Sequence, residues 1–178
     1  MTGAHFSFTL DRLSAFDWAC CLRLNRASRA AWVRSLTGAV SRLGDGLFWV
    51  GAVLATVVAD GAAALPLAFR ALAVGATCYA LYTVLKRRTT RPRPYTVSRK
   101  ILRSADPLDQ YSFPSGHTMQ AVALTSVIAA AYPLLVWILV PFSVLVALSR
   151  VVAGLHYPSD VAAGAALGGL VGLVYLTL

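Results

Sequence analysis

Five apolar runs, each close to the length of a membrane-crossing helix, fill most of the chain from Leu47 to Leu178. A hydrocarbon core about 30 Å thick takes roughly 20 apolar residues of helix to cross. Lipid offers no partner to backbone polar groups, so a spanning segment must satisfy them within a helix or a closed barrel. The runs read as helices over Leu47 to Ala64, Pro66 to Leu85, Ser115 to Ala131, Pro133 to Ser149, and Ser159 to the C-terminus. Only 13% of the residues are charged, against about 25% in a soluble domain, and the mean hydropathy is +0.67. The expected fold class is all-α integral membrane. Its architecture is a bundle of about five transmembrane helices, or six if the N-terminal segment spans.

That segment is different. Residues 10–43 carry Asp11, Arg12, Asp17, Arg23, Arg26, Arg29, Arg34 and Arg42, too many charges for lipid. Leu13, Phe16, Cys20 and Leu24, then Trp32, Leu36, Val40 and Leu43, nonetheless recur at helical spacing with arginines on the other faces. The pattern predicts an interfacial amphipathic helix; a basic helix packed on the bundle is the plainer alternative. The expected division is residues 1–45, interfacial, and residues 46–178, transmembrane. No signal peptide is expected, because Asp11, Arg12 and Asp17 interrupt any apolar stretch there. His5 is expected to be solvated. Cys20, Cys21 and Cys78 have no metal-binding or redox spacing.

The formal charge of +9 is unevenly placed, with half of the 16 lysines and arginines between Lys86 and Arg103. This interval, Lys86 to Ser112, has three prolines and no apolar period, and reads as a membrane-surface loop. Such a basic loop needs an anionic partner, either lipid headgroups or a substrate phosphate. Headgroup binding suits Arg87, Arg88, Arg99, Lys100 and Arg103.

Three polar groups stand at the ends of apolar runs: Lys86 with Arg93-Pro94, then Phe113-Pro114-Ser115-Gly116-His117, then Ser149-Arg150 with His156 and Asp160. Helices that cross alternately bring all three to one membrane face. There Lys86, Arg93 and Arg150 supply cations, and an arginine fork suits bidentate phosphate binding. Ser115 and Gly116 open a helix whose free N–H groups favour an anion. A histidine acting as nucleophile needs a neutral ring with one nitrogen free, which a carboxylate such as Asp160 provides by holding the other N–H. Neither metal nor cofactor is expected, since Asp106 and Asp109 are the only near acidic pair and read as loop punctuation.

In order, spacing and identity these groups resemble the Lys-x6-Arg-Pro, Pro-Ser-Gly-His and Ser-Arg-x5-His-x3-Asp motifs of the type 2 phosphatidic acid phosphatase superfamily, over roughly residues 44–178. The resemblance implies that His156 takes the phosphoryl group, that Asp160 orients it, and that His117 is first general acid and then general base. It also implies phosphate binding by Lys86, Arg93, Ser115, Gly116 and Arg150. Vanadium haloperoxidases share the motif, but those enzymes are large and soluble. The implied activity is hydrolysis of a lipid phosphomonoester or diphosphate, of the undecaprenyl diphosphate, phosphatidylglycerophosphate, phosphatidic acid or lipid A class. A lipid-phosphate-binding or transport protein without turnover is the alternative. Membrane lipids are the other expected partners, with no nucleic acid and no obligate protein partner. The expected location is a bacterial inner membrane. The family places the site at the periplasmic face, although the density of Lys and Arg around it argues for the cytoplasm.

Overall fold

The structure, a computed structural model, describes residues 2–178, with side chains from Leu13 onward. The side chains of His5, Asp11 and Arg12 lie outside that range. Helix α1 covers Thr2–Asn25 and α2 covers Ala31–Arg42. A π-helical turn over Leu43–Leu47, in which Gly46 takes φ 143°, leads into α3, Phe48–Asp60. Then follow α4, Leu65–Thr89, the single turn α5, Pro94–Val97, α6, Gly116–Ala131, α7, Val136–Val152, and α8, Pro158–Thr177. The stretches 31–97, 133–152 and 158–177 hold helices long and apolar enough to cross a membrane. The five expected apolar runs correspond to α3, α4, α6, α7 and α8.

Two boundaries differ from expectation. Helix α4 continues to Thr89, so Lys86 sits in a helical turn at its end and not in the loop. The interval behind it contains α5, where Pro94 fills the first helical position, which has no intrahelical acceptor for an N–H.

Helix α6 is the centre of the bundle. Met119, Ala121, Ala123, Leu124, Val127 and Ile128 are all buried, against α4, α7 and α8. Against α8 the approach is backbone to backbone. A Cβ at Gly164 would lie 2.5 Å from the Ser115 carbonyl oxygen, and one at Gly168 would lie 2.3 Å from that of Met119. Small residues at four-residue spacing thus set the α6–α8 distance. Outward-facing Val58, Phe69, Leu72, Trp137, Ile138 and Leu173 are exposed, as lipid-facing side chains must be.

Helices α1 and α2 are inverted relative to a soluble amphipathic helix. Across α1, the turn of residues 26–29 and α2 the buried positions are mostly polar, Asp17, Asn25, Ser28, Thr37 and Ser41, with Cys21 and the expected stripe residue Val40 also buried, while Leu13, Phe16, Leu24, Trp32, Leu36 and, just after α2, Leu43 are exposed. The polar faces clasp the surface loops. Asn25 Nδ2 donates to the carbonyls of Leu102 and Val152, both at 2.8 Å, and Ser28 Oγ donates to that of Val152 at 2.7 Å. Gly154, beside this clasp, holds φ 72°, and a Cβ there would lie 2.5 Å from Ile101. Only glycine fits both the conformation and the space.

Candidate active site

The ends of α4 and α7 and the starts of α6 and α8 meet at one end of the bundle, and every site residue expected from the sequence is found there. Lys86, Arg93, Ser115, Gly116, His117, Arg150, His156 and Asp160 are all buried. The second and third groups are joined through the backbone, because Ser115 N–H donates to the Asp160 carbonyl at 3.0 Å. Ser115 caps α6, accepting from Thr118 N–H at 3.4 Å. The Gly116 and His117 N–H groups, in the first turn, have no intrahelical acceptor. Gly116 also lets the Tyr82 ring lie against this turn, at 2.9 Å from where a Cβ would stand.

The geometry assigns the tautomer of His156. Arg93 Nη1 lies 3.2 Å from His156 Nε2. A guanidinium only donates, so Nε2 is the unprotonated nitrogen and the proton is on Nδ1. Nδ1 is buried, and 3.6 Å away stands Asp160 Oδ2, just beyond hydrogen-bond distance. The carboxylate has other duties: Oδ2 accepts from Tyr157 N–H at 2.8 Å, which caps α8, and Oδ1 accepts from Arg91 at 2.6 Å. Burial, reinforced by the Arg150, Arg93 and Lys86 charges, holds the His156 ring well below the ordinary imidazole pKa. The ring is therefore neutral with Nε2 free, as nucleophilic use requires.

Of the site's cations, Arg150 has no carboxylate partner among the described residues. Arg150 is 1% exposed, and its only side-chain partner among the described residues is the hydroxyl of Ser41. Its Nε is buried without an acceptor. An uncompensated buried guanidinium is costly, so the site is built for an anion. Lys86 and Arg93 share Asp109, whose oxygens lie 2.5 Å from Lys86 Nζ and 2.8 Å from Arg93 Nη2. Burial alone would raise the Asp109 carboxyl, but its two cations outweigh that and hold it below the usual carboxylate range.

Four residues here were not expected. Asp109 is a partner of two cations, a correction to its reading as loop punctuation; Asp106 does pair at the surface, 3.6 Å from Arg103. Asp45, in the turn before α3, accepts from His117 Nε2, so that nitrogen carries its proton. Asp17 and Arg91 form an ion pair at 2.7 Å behind Asp160. One sequence signal was available: the chain has only seven acidic residues, and a carboxylate near a membrane persists where a partner holds it. Beside Asp45 an apolar groove of about 520 Å³ runs between α3 and α4, lined by Trp49, Val53, Ala71, Leu72 and Tyr79.

Buried cations thus stand around a neutral imidazole at one end of a bundle of membrane-length helices. The chain belongs to the PAP2 superfamily, whose model matches residues 67–178. It is 41% identical over 120 residues to decaprenylphosphoryl-5-phosphoribose phosphatase of Mycobacterium tuberculosis, a match covering 64% of each chain; it thus spans about 64% of that relative's length. It is 34% identical over 93 residues to lipid A 1-phosphatase of Rhizobium etli, covering 50% of this chain and 40% of that one. In structure it resembles the transmembrane PAP2 type phosphatidylglycerolphosphate phosphatase of Bacillus subtilis. The TM-score is 0.69 at 26% identity, with 97% of this chain and 92% of that one covered. The all-α integral membrane class expected from the sequence is confirmed.

Proposed function

We propose that the protein is a membrane lipid phosphatase acting through a phosphohistidine. The observation that carries this is the His156 ring, neutral, with Nε2 unprotonated against Arg93 and with the Arg150 and Lys86 charges close enough to act on the ring. Binding alone needs only the cations. A free imidazole nitrogen aimed among them, with a carboxylate behind the ring, favours turnover over a binding or transport role.

In the first step the phosphate oxygens take hydrogen bonds from Lys86, Arg93, Arg150 and the first N–H groups of α6. Arg93 transfers its bond from Nε2 to a phosphate oxygen. The Nε2 lone pair attacks phosphorus, the bond to the lipid oxygen breaks, and His117, entering this step protonated on both nitrogens, gives that oxygen a proton and is left neutral. In the second step His117 takes a proton from water, which attacks the phosphohistidine and returns Nε2 with release of inorganic phosphate. Asp160 stabilises the positive charge that the ring carries while phosphorylated. The α3–α4 groove next to Asp45 and His117 accommodates the hydrocarbon, which leaves toward the proton donor.

The relatives named above act on a decaprenyl phosphoribose, a lipid A phosphate and a phosphatidylglycerophosphate, so those lipids, with undecaprenyl diphosphate and phosphatidic acid, form the test panel. Phosphate release by purified protein in detergent should occur with at least one and vanish in His156→Ala. Release from none, by a folded protein, would leave the binding reading standing. The site is proposed to face the periplasm of an inner membrane, with α1 and α2 lying in the interface. A cysteine replacing the exposed Asp106, labelled by an impermeant reagent on intact spheroplasts, tests the side; labelling only after lysis would reverse it.

A further inference from the structure

We infer that Arg91 and Asp17 are positioning residues for the Asp160–His156 pair, so that α1, outside the stretch matched by the family model, completes the site. The inference rests on the phosphohistidine reading above. Asp160 is fully buried, and a carboxylate in such surroundings keeps its charge only beside a cation. Arg91 is that cation, with Nη1 2.6 Å from Asp160 Oδ1. Its own placement is over-determined. Nη2 donates to Asp17 Oδ2 at 2.7 Å, Nη1 also donates to Ser159 Oγ at 2.8 Å, and the guanidinium lies over the Tyr157 ring, 4.1 Å from the centroid.

Asp17 ties this to α1. It is 1% exposed and accepts from the Ser159 N–H at 2.9 Å and from the Ser159 hydroxyl. One helical turn on, Cys21 Sγ lies 3.6 Å from the His156 carbonyl oxygen. The N-terminal helix therefore touches the backbone of one member of the pair and, through Arg91, the carboxylate of the other. Arg91 is not a fourth phosphate ligand. Its two terminal nitrogens are engaged by two carboxylates, whereas Arg150 has none and Lys86 and Arg93 share one. Held from the Oδ1 side, Asp160 keeps Oδ2 toward His156 Nδ1.

Loss of the Arg91 charge leaves two buried carboxylates without their shared cation. A proton then neutralises one of them, and His156 loses the negative charge that stands 3.6 Å from its Nδ1 and stabilises the ring while it carries the phosphoryl group. Arg91→Gln should lower the nitrophenol burst rate on an aryl phosphate about 10–100-fold, the usual cost of removing a supporting partner. The inhibition constant for vanadate should stay within about twofold, because the phosphate cations are untouched. Arg91→Lys should recover part of the rate. Nitrogen-15 labelling of the three histidines gives a readout besides turnover: the Nδ1 resonance of His156 should move in Arg91→Gln as the charge facing it is lost, while Nε2 stays unprotonated beside Arg93. Should that variant not fold, Asp17→Asn is the substitute, with a smaller rate loss and the same Nδ1 shift.

An unchanged Nδ1 resonance and rate in the folded variant would overturn the inference. So would vanadate affinity falling in step with rate, which would make Arg91 a phosphate ligand. Failure of the hydrolase reading looks different, because the parent itself would then release no phosphate.

Discussion

Asp109 places one carboxylate oxygen 2.5 Å from the Lys86 ammonium, and the pair sits inside the site, beside Arg93. This carboxylate is the anion that the two cations hold. A phosphate that arrives must share them.

Asp109→Asn should therefore tighten binding of oxyanions. Removing one partly screened charge at contact distance changes the interaction by about 1 kcal/mol, a factor of roughly five in affinity. The inhibition constants for vanadate and inorganic phosphate are the measurement. Weaker inhibition would mean that Asp109 serves to position Lys86 and Arg93, and that positioning outweighs competition.

The two histidines should separate by leaving group. A lipid alkoxide departs poorly unless protonated, whereas a nitrophenolate departs without help. His117→Ala should lose most lipid turnover yet keep a burst of nitrophenol, then stall because water is no longer activated. His156→Ala should show neither turnover nor burst. Rapid-quench kinetics decide it, and a full burst from His156→Ala would reverse the assignment.

Chelation should leave the rate nearly unchanged, since Lys86, Arg93 and Arg150 already supply the positive charge that phosphoryl transfer requires. Vanadate should inhibit. A rate lost in EDTA and restored by Mg²⁺ would contradict the mechanism.

Acid should destabilise the fold through His156. The native ring stays neutral well below the ordinary imidazole pKa, while the unfolded chain protonates near about 6.5. Below that value the unfolded state binds more protons, so stability falls as pH falls. Asp109 acts lower down: its depressed pKa gives stability that is present above about 4 and lost only in stronger acid. Melting temperature in detergent should decline between about pH 7 and 5, and His156→Gln should flatten that slope.

At the helix interface, Gly168→Ala should cost about 1–3 kcal/mol, because its Cβ would stand 2.3 Å from the Met119 carbonyl and backbone must shift. Gly169→Ala is the control. Nothing lies within 4 Å of its Cβ, so the better helix former should be neutral or slightly stabilising.

The spans and the convergence of the eight expected site residues at one end of the bundle were legible because each leaves a local mark. An apolar run has a length, and Ser115-Gly116-His117 or His156 with Asp160 has a spacing. The supporting acids leave none. Asp17 reaches Ser159 across 142 positions, Asp45 reaches His117 across 72 and Asp109 reaches Arg93 across 16. Asp17 and Asp45 carry no motif neighbour and Asp109 shares its loop with the surface residue Asp106, so the meaning of each comes from a packing arrangement that spacing does not encode. The N-terminal pattern was read at the right period, but its orientation depends on the solvent. In lipid the apolar stripe faces outward, so Asn25 and Ser28, unremarkable in sequence, become the contacts that fasten the loops.

The α6–α8 contact has a consequence for how such a site can diversify. Since Ser115 N–H meets the Asp160 carbonyl and Gly164 and Gly168 set α8 against the α6 backbone, the span from His117 to His156 is measured largely in peptide units. Side chains on the outer faces of α3, α4 and α7 are then free to change with the lipid being processed, without moving the reacting groups. A new tail preference asks for repainting of the exterior, and the ruler inside stays the same length.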